Sequence, residues 1–262
     1  PRVPDGRYPH CRWRVFLDEK SDPYTHHPNL EKVRATRLAS IPIVVPAEDA
    51  EPGGWSDYSG PFDPGAQLED FSHRALLILN QEATVQTHLL VRAFLLSIAD
   101  RFGDAVAIEI GRASWVGAAA LAARRVARAM KIEGGGIEAV LKTFQVHPHF
   151  HPRTYVDLHV EQTGPDSARL TIRDCPALRE GDAYSWLSDL GVEPHPAFDA
   201  ICEAVEPHAR CHPVEETRGA DLAWDVVVDR AAEPQEEPLL LRLARLSRGA
   251  DFELMQRRPL RR

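Results

Sequence analysis

The sequence predicts an α+β fold in which long N-terminal helices pack on antiparallel β-hairpins, preceded by an extended, proline-rich arm. Two observations predict it. Apolar residues recur at helical spacing between residues 68 and 146, and polar and apolar residues alternate after Pro152. Because helices come first and hairpins follow, the strands are expected to form an antiparallel sheet rather than the parallel sheet of alternating strand–helix units.

Three helices are predicted in the first half of this domain. The first covers residues 68–102, with Gly103 in the left-handed conformation that commonly ends a helix. The second begins with Asp104 as its N-terminal cap and continues to about residue 131. It is rich in glycine and alanine, so a neighbouring helix is expected to approach it closely. Three consecutive glycines separate it from a third helix at residues 137–146.

Two hairpins are predicted in the second half. Residues 155–161 alternate in polarity and are expected to pair with residues 169–173. Residues 211–217 and 222–229 are expected to form the second hairpin. A short helix at residues 196–205, which begins with a proline, is expected to lie between the two hairpins.

The two ends of the chain are predicted to lie outside the α+β domain, which covers residues 67–230. Residues 1–66 form an arm whose prolines and glycines disfavour regular structure, apart from a short strand at residues 13–17 and a short helix at residues 30–39. Residues 231–262 contain an amphipathic helix and a tail. We expect the arm to cover either the body of the protein or a partner subunit, and a homo-oligomer or a complex is predicted.

Charge and composition argue against nucleic-acid binding. The chain has 262 residues, a net charge of −8 and 44% hydrophobic residues, which is ordinary for a protein with a packed core. A protein that binds nucleic acid needs a positively charged face to displace the counterions of the phosphates. We therefore expect a small-molecule ligand and no nucleic-acid partner.

The expected compartment is the cytoplasm. No window contains the roughly 18 consecutive apolar residues of a membrane span, so no membrane partner is expected. Residues 1–24 are polar and proline-rich, unlike a secretory signal. The chain has only four cysteines, which do not make a disulfide framework.

A group of polar residues interrupts the first predicted helix. Gln81, Thr84 and His88 share one helical face, and Glu82 falls in the apolar stripe of that helix. If the helix is buried all round, Glu82 is a buried carboxylate that needs a partner or a proton. A carboxylate and an imidazole in one pocket suit acid–base chemistry. The structural alternative is an ion pair between Glu82 and an arginine of the next helix, namely Arg112, Arg124 or Arg125.

A second cluster of polar residues follows the third helix. His147, His149 and His151 are spaced two residues apart, so on an extended segment all three imidazoles would point the same way. Imidazoles are common ligands of zinc and iron, which makes this run a candidate metal site. The alternative is a histidine-rich surface loop, because Pro148 and Pro152 disturb the geometry. The cofactor is unknown at this point.

Cysteine nucleophiles and an aromatic pocket wall are further candidates. Cys175 ends a predicted strand and Cys202 lies in the short helix, and a nucleophilic cysteine such as Cys175 or Cys211 needs a nearby base. The alternative is that these cysteines are small buried apolar residues. Trp115 interrupts the small-residue face of the second helix, where it either covers a pocket or packs in the core.

Several of these residues together resemble a known family, the L-2-amino-thiazoline-4-carboxylic acid hydrolase-like proteins. The resemblance covers about residues 68–230 and rests on the order of the following features: His88, Phe102-Gly103, Gly111, Arg124-Arg125, Asp174-Cys175-Pro176, Cys202 and Trp224. The chain also resembles the ligand-binding domains of the 4-vinyl reductase type. The first resemblance implies cleavage of a carbon–nitrogen bond in a small heterocycle. A cysteine expected late in the last hairpin is replaced here by the region of Trp224 and Asp225.

Three hypotheses follow for the function. The first is a small-molecule enzyme, a hydrolase of a cyclic or amide C–N bond, with Glu82, His88 and Cys175 as catalytic residues. Its ligand would contact the following residues: Gln81, Thr84, Arg112, Trp115 and Cys202. The second is a small-ligand-binding or accessory subunit without catalysis. The third is a metal-binding protein that uses His147, His149 and His151.

Overall fold

The computed structural model describes residues 27–47, 52–191 and 193–244. Within these residues the chain forms six α-helices and one four-stranded antiparallel sheet, so the predicted α+β class is confirmed. The strand predicted at residues 13–17 lies outside the described residues. So do residues 245–248 of the predicted C-terminal helix.

The first two long helices form a hairpin around one glycine. Helix α2 (His73–Phe102) begins after Ser72, whose hydroxyl accepts a hydrogen bond from the N–H of Ala75 at 3.3 Å. It starts later than predicted, because residues 68–70 form a separate 3-10 turn. Gly103 (φ 89°) alone links α2 to helix α3 (Asp104–Ala129), and it caps α3 in place of the predicted Asp104. A side chain at that φ would be strained, which is why glycine occupies the turn.

Helix α3 is the central helix of the fold. It packs against α2, α5 (Pro196–Glu203) and α6 (Leu239–Ala244). A Cβ atom added at Gly117 would lie 2.7 Å from the carbonyl oxygen of Leu240, so the missing side chain is what lets α6 approach. The predicted close packing at small residues is therefore present.

By length and composition, α3 is also apolar enough to cross a membrane, with a mean hydropathy of 1.3 in its most apolar window. Of that window, 39% is buried inside the protein, and buried core helices commonly meet the same criterion. The cytoplasmic location and the absence of membrane and nucleic-acid partners stay predictions.

The sheet consists of two hairpins joined side by side. Its strands are β1 (Leu158–Gly164), β2 (Ser167–Ile172), β3 (Ala209–Pro213) and β4 (Leu222–Val228). Their order is β1-β2-β4-β3, and all neighbouring pairs are antiparallel. Leu170 of β2 lies opposite Trp224 of β4. This register aligns the buried side chains of the two predicted hairpins on one face.

The main core lies between this sheet and the helices. Helix α4 (Ile137–Val146) contacts β1, β2 and β4, while α5 contacts β3. Phe198 of α5 stacks on Trp224 with ring centroids 4.7 Å apart, and Phe144 and Phe150 also pack against Phe198. Burying large aromatic rings of this kind stabilises a fold strongly.

The described part of the N-terminal arm lies against the helical body. Helix α1 (Asn29–Arg34) packs on α2, and a 3-10 turn follows at Leu38–Ser40. Gln81 holds the next segment, because its amide accepts from the N–H of Val44 at 3.0 Å and donates to the carbonyl of Val44 at 2.8 Å. The division of the chain into arm, domain and tail stays a prediction.

Helix α2 is buried on one face only, which corrects the expectation of burial all round. Leu90 is 70% exposed and Phe94 is 52% exposed, whereas His88, Arg92 and Leu95 are buried. The expected contact with a second copy or another subunit stays a prediction.

Candidate functional site

Four histidines meet where α2, α3 and the segment after α4 come together, and we call His88, His147, His149 and His151 the imidazole cluster. His88, His147 and His149 are buried, and His151 is half-buried. Buried titratable groups with shifted pKa values often mark functional sites, so the cluster is the candidate site.

His147 has a structural role at the base of the cluster. Its Nε2–H donates to the carbonyl of Ala119 on α3 at 3.0 Å, and its Nδ1 accepts from the N–H of His149 at 3.3 Å. The second bond caps the 3-10 turn Pro148–Phe150. Burial lowers the pKa of His147 to about 4, so the imidazole is neutral near pH 7.

His149 is held by tryptophans. Its Nδ1 accepts a hydrogen bond from the indole N–H of Trp115 at 3.1 Å, and its ring packs on Trp186 with centroids 4.5 Å apart. Because Nδ1 accepts, Nε2 of the neutral ring carries the proton. Burial lowers the pKa of His149 well below its ordinary value, and the positive charge of His147 and His88 would lower it further.

His88 donates from one ring nitrogen and keeps a lone pair on the other. Its Nε2 lies 3.0 Å from the carbonyl oxygen of His151. A carbonyl only accepts, so Nε2 carries the proton and Nδ1 has the free lone pair. Burial lowers the pKa of His88 to about 4, although the bond to His151 acts in the opposite direction. The ring packs edge-on against Tyr155 at 5.1 Å.

A buried ion network adjoins His88 on α2. Nη1 of Arg92 donates to Asp182 at 2.5 Å, and Nη2 lies 3.8 Å from Glu180. Glu180 also accepts from the hydroxyl of Tyr155 at 3.0 Å and from the backbone N–H of Leu38 at 2.9 Å. The side chains of Arg92 and Glu180 are 2% and 1% exposed. This network therefore joins the arm to the ring of Tyr155, which contacts His88.

A further histidine, His195, packs against Trp115. Its Nδ1 accepts from the N–H of Ala197 at 3.2 Å and caps α5, while its ring lies 4.5 Å from that of Trp115. Asp189 lies 3.5 Å from Nε2 and pairs with Arg112 at 3.3 Å. Burial lowers the pKa of His195 to about 4.

Glu82 is exposed, and the expectation that it is a buried carboxylate is wrong. The buried face of α2 runs through Thr84, His88 and Arg92, and Glu82 lies at its edge. Its carboxylate accepts from the side-chain amide of Gln86 at 2.7 Å rather than pairing with Arg112. Arg124 is likewise engaged elsewhere, with Glu203 at 2.7 Å.

The predicted extended geometry of His147, His149 and His151 is also wrong. Pro148 begins a 3-10 turn, so the three rings point to separate partners instead of one point in space. Within the described ranges, no group of three His, Cys, Asp or Glu side chains is positioned to hold a metal ion.

The candidate cysteines are buried thiols. The thiol of Cys175 donates to the carbonyl of Tyr155 at 3.3 Å, so Tyr155 lies between Cys175 and His88. Burial raises the pKa of Cys175, and it raises that of Cys202 and Cys211 as well. Since the thiolate is the nucleophile, these cysteines are poor nucleophiles near pH 7.

We expect these three thiols to resist modification in the folded protein. Treatment with iodoacetamide at pH 7.5, followed by peptide mass mapping, should label Cys175, Cys202 and Cys211 only after urea is added. Rapid labelling of Cys175 in the native protein would contradict the burial and reinstate it as a nucleophile.

The structure brings together residues that the sequence patterns did not connect. Tyr155, Glu180 and Arg92 join the cluster through the tertiary fold, and His195 caps a helix beside Trp115. One signal was available in the sequence: His147 and His195 both directly precede a proline. Proline favours the first helical position, so the residue before it is a natural helix cap.

The remaining predicted ligand contacts are scattered. Thr84 bonds to the carbonyl of Gln81 on its own helix, Cys202 is in the core beside the sheet, and Arg112 is half-exposed. An open cavity of 590 Å³ lies elsewhere, on the loop of residues 54–63.

Comparison with known proteins does not assign the chain to a family. No family model matches it, and no curated protein or solved structure shows significant similarity.

Proposed function

We propose that the chain is a small-molecule enzyme that hydrolyses a cyclic or amide C–N bond, with His88 as the proton-transfer residue. The observation that carries the proposal is the hydrogen bonding of His88. Its Nε2–H is engaged by the carbonyl of His151, and its Nδ1 is left as a base that is neutral across the physiological pH range. The choice of a C–N bond rests on the family resemblance.

The proposed step needs only water and the substrate. Nδ1 of His88 takes a proton from a water molecule as its oxygen attacks the carbon of the C–N bond. The new C–O bond forms, the C–N bond breaks, and the imidazolium returns the proton to the departing nitrogen. Tyr155 packs against the ring of His88 and orients it. Cys175 bonds to the carbonyl of Tyr155, and Trp115 bonds to His149 of the same cluster.

The pH dependence of the reaction follows from the low pKa of His88. Between pH 8 and 5.5 we expect kcat/KM to stay constant, because the imidazole remains the free base. If the histidine had an ordinary pKa, kcat/KM would fall about tenfold by pH 5.5, because most of the imidazole would be protonated. The substrates to screen are small lactams, hydantoins and thiazoline carboxylates, with detection of the amine released. Far-UV circular dichroism must show that the protein is folded at each pH.

His88→Gln is the matched variant, since its amide N–H can still reach the carbonyl of His151 but it has no basic nitrogen. We expect a loss of at least about 100-fold in kcat. His159→Gln is the control, because the side chain of His159 is half-exposed and bonds to Asp157 at 2.8 Å, away from the cluster. Full activity in His88→Gln would overturn the proposal.

The second candidate is a ligand-binding or accessory protein without catalysis, which the protonated thiols and the weakly basic histidines favour. Thermal stabilisation by one of the same heterocycles without turnover would support this candidate over the first. If that stabilisation disappears in His88→Gln, the ligand is bound at the imidazole cluster.

A further inference from the structure

The loop of residues 54–63 has an aromatic wall that the proposed function does not use. The rings of Trp55 and Tyr58 stack with centroids 5.4 Å apart and an angle of 20° between their planes. Phe71 meets both rings edge-on, at 5.6 and 5.7 Å. These contacts order aromatic groups on an exposed loop, where Tyr58 is still 44% exposed.

The start of this loop is fixed to the segment that precedes α2. The N–H of Trp55 donates to the carbonyl of Asp70 at 2.9 Å, and the N–H of Ser72 donates to the carbonyl of Trp55 at 2.8 Å. Gly54 has φ 81°, and a Cβ atom there would lie 2.7 Å from the backbone of Phe71. The loop therefore closes against the start of α2 at a position where only glycine fits.

The tip of the loop is ordered by its own hydrogen bonds. The hydroxyl of Tyr58 accepts from the N–H of Asp63 at 2.8 Å and donates to the carbonyl of the same residue at 3.2 Å. Asp57 accepts from the N–H and the hydroxyl of Ser59, at 3.0 and 2.7 Å. The cavity of 590 Å³ is lined by residues of this loop, including Trp55, Asp57 and Tyr58.

The charge of the segment indicates what the cavity would bind. The residues that line the cavity include Asp57 and no lysine, arginine or histidine. Asp57, on the cavity wall, is fully ionised near pH 7, because the bonds from Ser59 lower its pKa. Aromatic faces attract cations through their quadrupole, and a nearby carboxylate adds to that attraction.

We propose that this loop binds a small organic cation, an ammonium or guanidinium group, against the rings of Trp55 and Tyr58 with Asp57 as counter-charge. The carboxylate of Asp57 would repel a small anion. The site shares no residue with the imidazole cluster, so this proposal is independent of the proposed hydrolase activity.

The test is ligand-observed NMR titration of the full chain with tetramethylammonium chloride at constant ionic strength. Tert-butanol serves as the uncharged control of similar shape. We expect saturable binding of the cation and none of the alcohol at equal concentration. Equal binding of the two probes, or no saturable binding of the cation, would overturn the proposal.

Two variants locate the binding. Asp57→Asn keeps an oxygen for the bonds from Ser59 and removes the charge, and Trp55→Leu removes the aromatic face. Each is expected to weaken binding about two- to fivefold, the range for an exposed cation–π or ion-pair contact. Unchanged affinity in Asp57→Asn, with an unchanged melting temperature, would refute the role of the carboxylate.

Further probes identify the head group. Butylammonium and butylguanidinium carry the head groups of lysine and arginine side chains. If either binds more tightly than tetramethylammonium, the site favours a cation with N–H donors, as a protein side chain would provide. If tetramethylammonium binds more tightly, the site favours a free quaternary ammonium compound.

Discussion

Lowering the pH from 7 to 5 is expected to reduce the free energy of unfolding by on the order of 6 kcal/mol. Three buried histidines, His88, His147 and His195, have pKa values of about 4 in the folded protein, and burial lowers the pKa of His149 as well. In the unfolded chain their pKa returns to about 6.5. Below pH 6.5 the unfolded chain binds more protons than the folded protein, so stability is present above that pH and is lost as the pH falls toward 4.

The size of the effect follows from the two pKa values. Each histidine contributes about 2 kcal/mol of the loss by pH 5, and the sum is comparable to the whole stability of a typical domain. Urea unfolding monitored by circular dichroism at pH 7, 6 and 5 measures it directly. Stability that does not change over this range would show that these imidazoles are accessible to protons in the folded state.

His147→Gln is the matched variant for this prediction. Glutamine offers a donor for the carbonyl of Ala119 and an acceptor for the N–H of His149, but it does not titrate. Whatever its stability at pH 7, the variant should lose about 2 kcal/mol less than the wild type on going to pH 5. An unchanged pH slope would exclude His147 as one of the titrating groups.

Replacing Arg92 with alanine is expected to lower the free energy of unfolding by about 3–5 kcal/mol. Arg92 and Glu180 are both buried, so removal of the cation leaves an uncompensated carboxylate inside the protein. Asp182 loses its partner as well. Glu180 also accepts hydrogen bonds from Tyr155 and from the backbone of the arm at Leu38. We expect these two bonds to weaken when Arg92 is removed.

Two comparisons separate charge from packing in that experiment. Arg92→Met keeps most of the aliphatic volume of the side chain. Its loss in free energy of unfolding therefore reports the removal of the guanidinium group. Arg34→Ala removes an exposed arginine that pairs with Glu31 at 2.9 Å, and it should cost at most about 1 kcal/mol. If Arg92→Met is as stable as the wild type in urea unfolding, the buried pair does not stabilise the fold.

The sequence by itself determined the elements and the class of the fold. The period of apolar residues places α2, α3 and α4, and the change to alternation places the hairpins, because these periods are local properties of helices and strands. Gly103 was identifiable as the turn between α2 and α3, since only glycine takes that conformation without strain. The observed ends of some elements differ from the predicted ends by a few residues, because helix caps and 3-10 turns compete with the α-helix there.

Only the tertiary structure decided which polar residues meet. Glu82 and His88 lie within two turns of one helix, yet one is exposed and the other buried, because the buried face of α2 is set by what packs on it. Tyr155 and Glu180 reach His88 and Arg92 across long stretches of chain, and no local period encodes such contacts. The sequence likewise did not determine the protonation states of the histidines and thiols, because a pKa depends on burial and on neighbours that folding supplies.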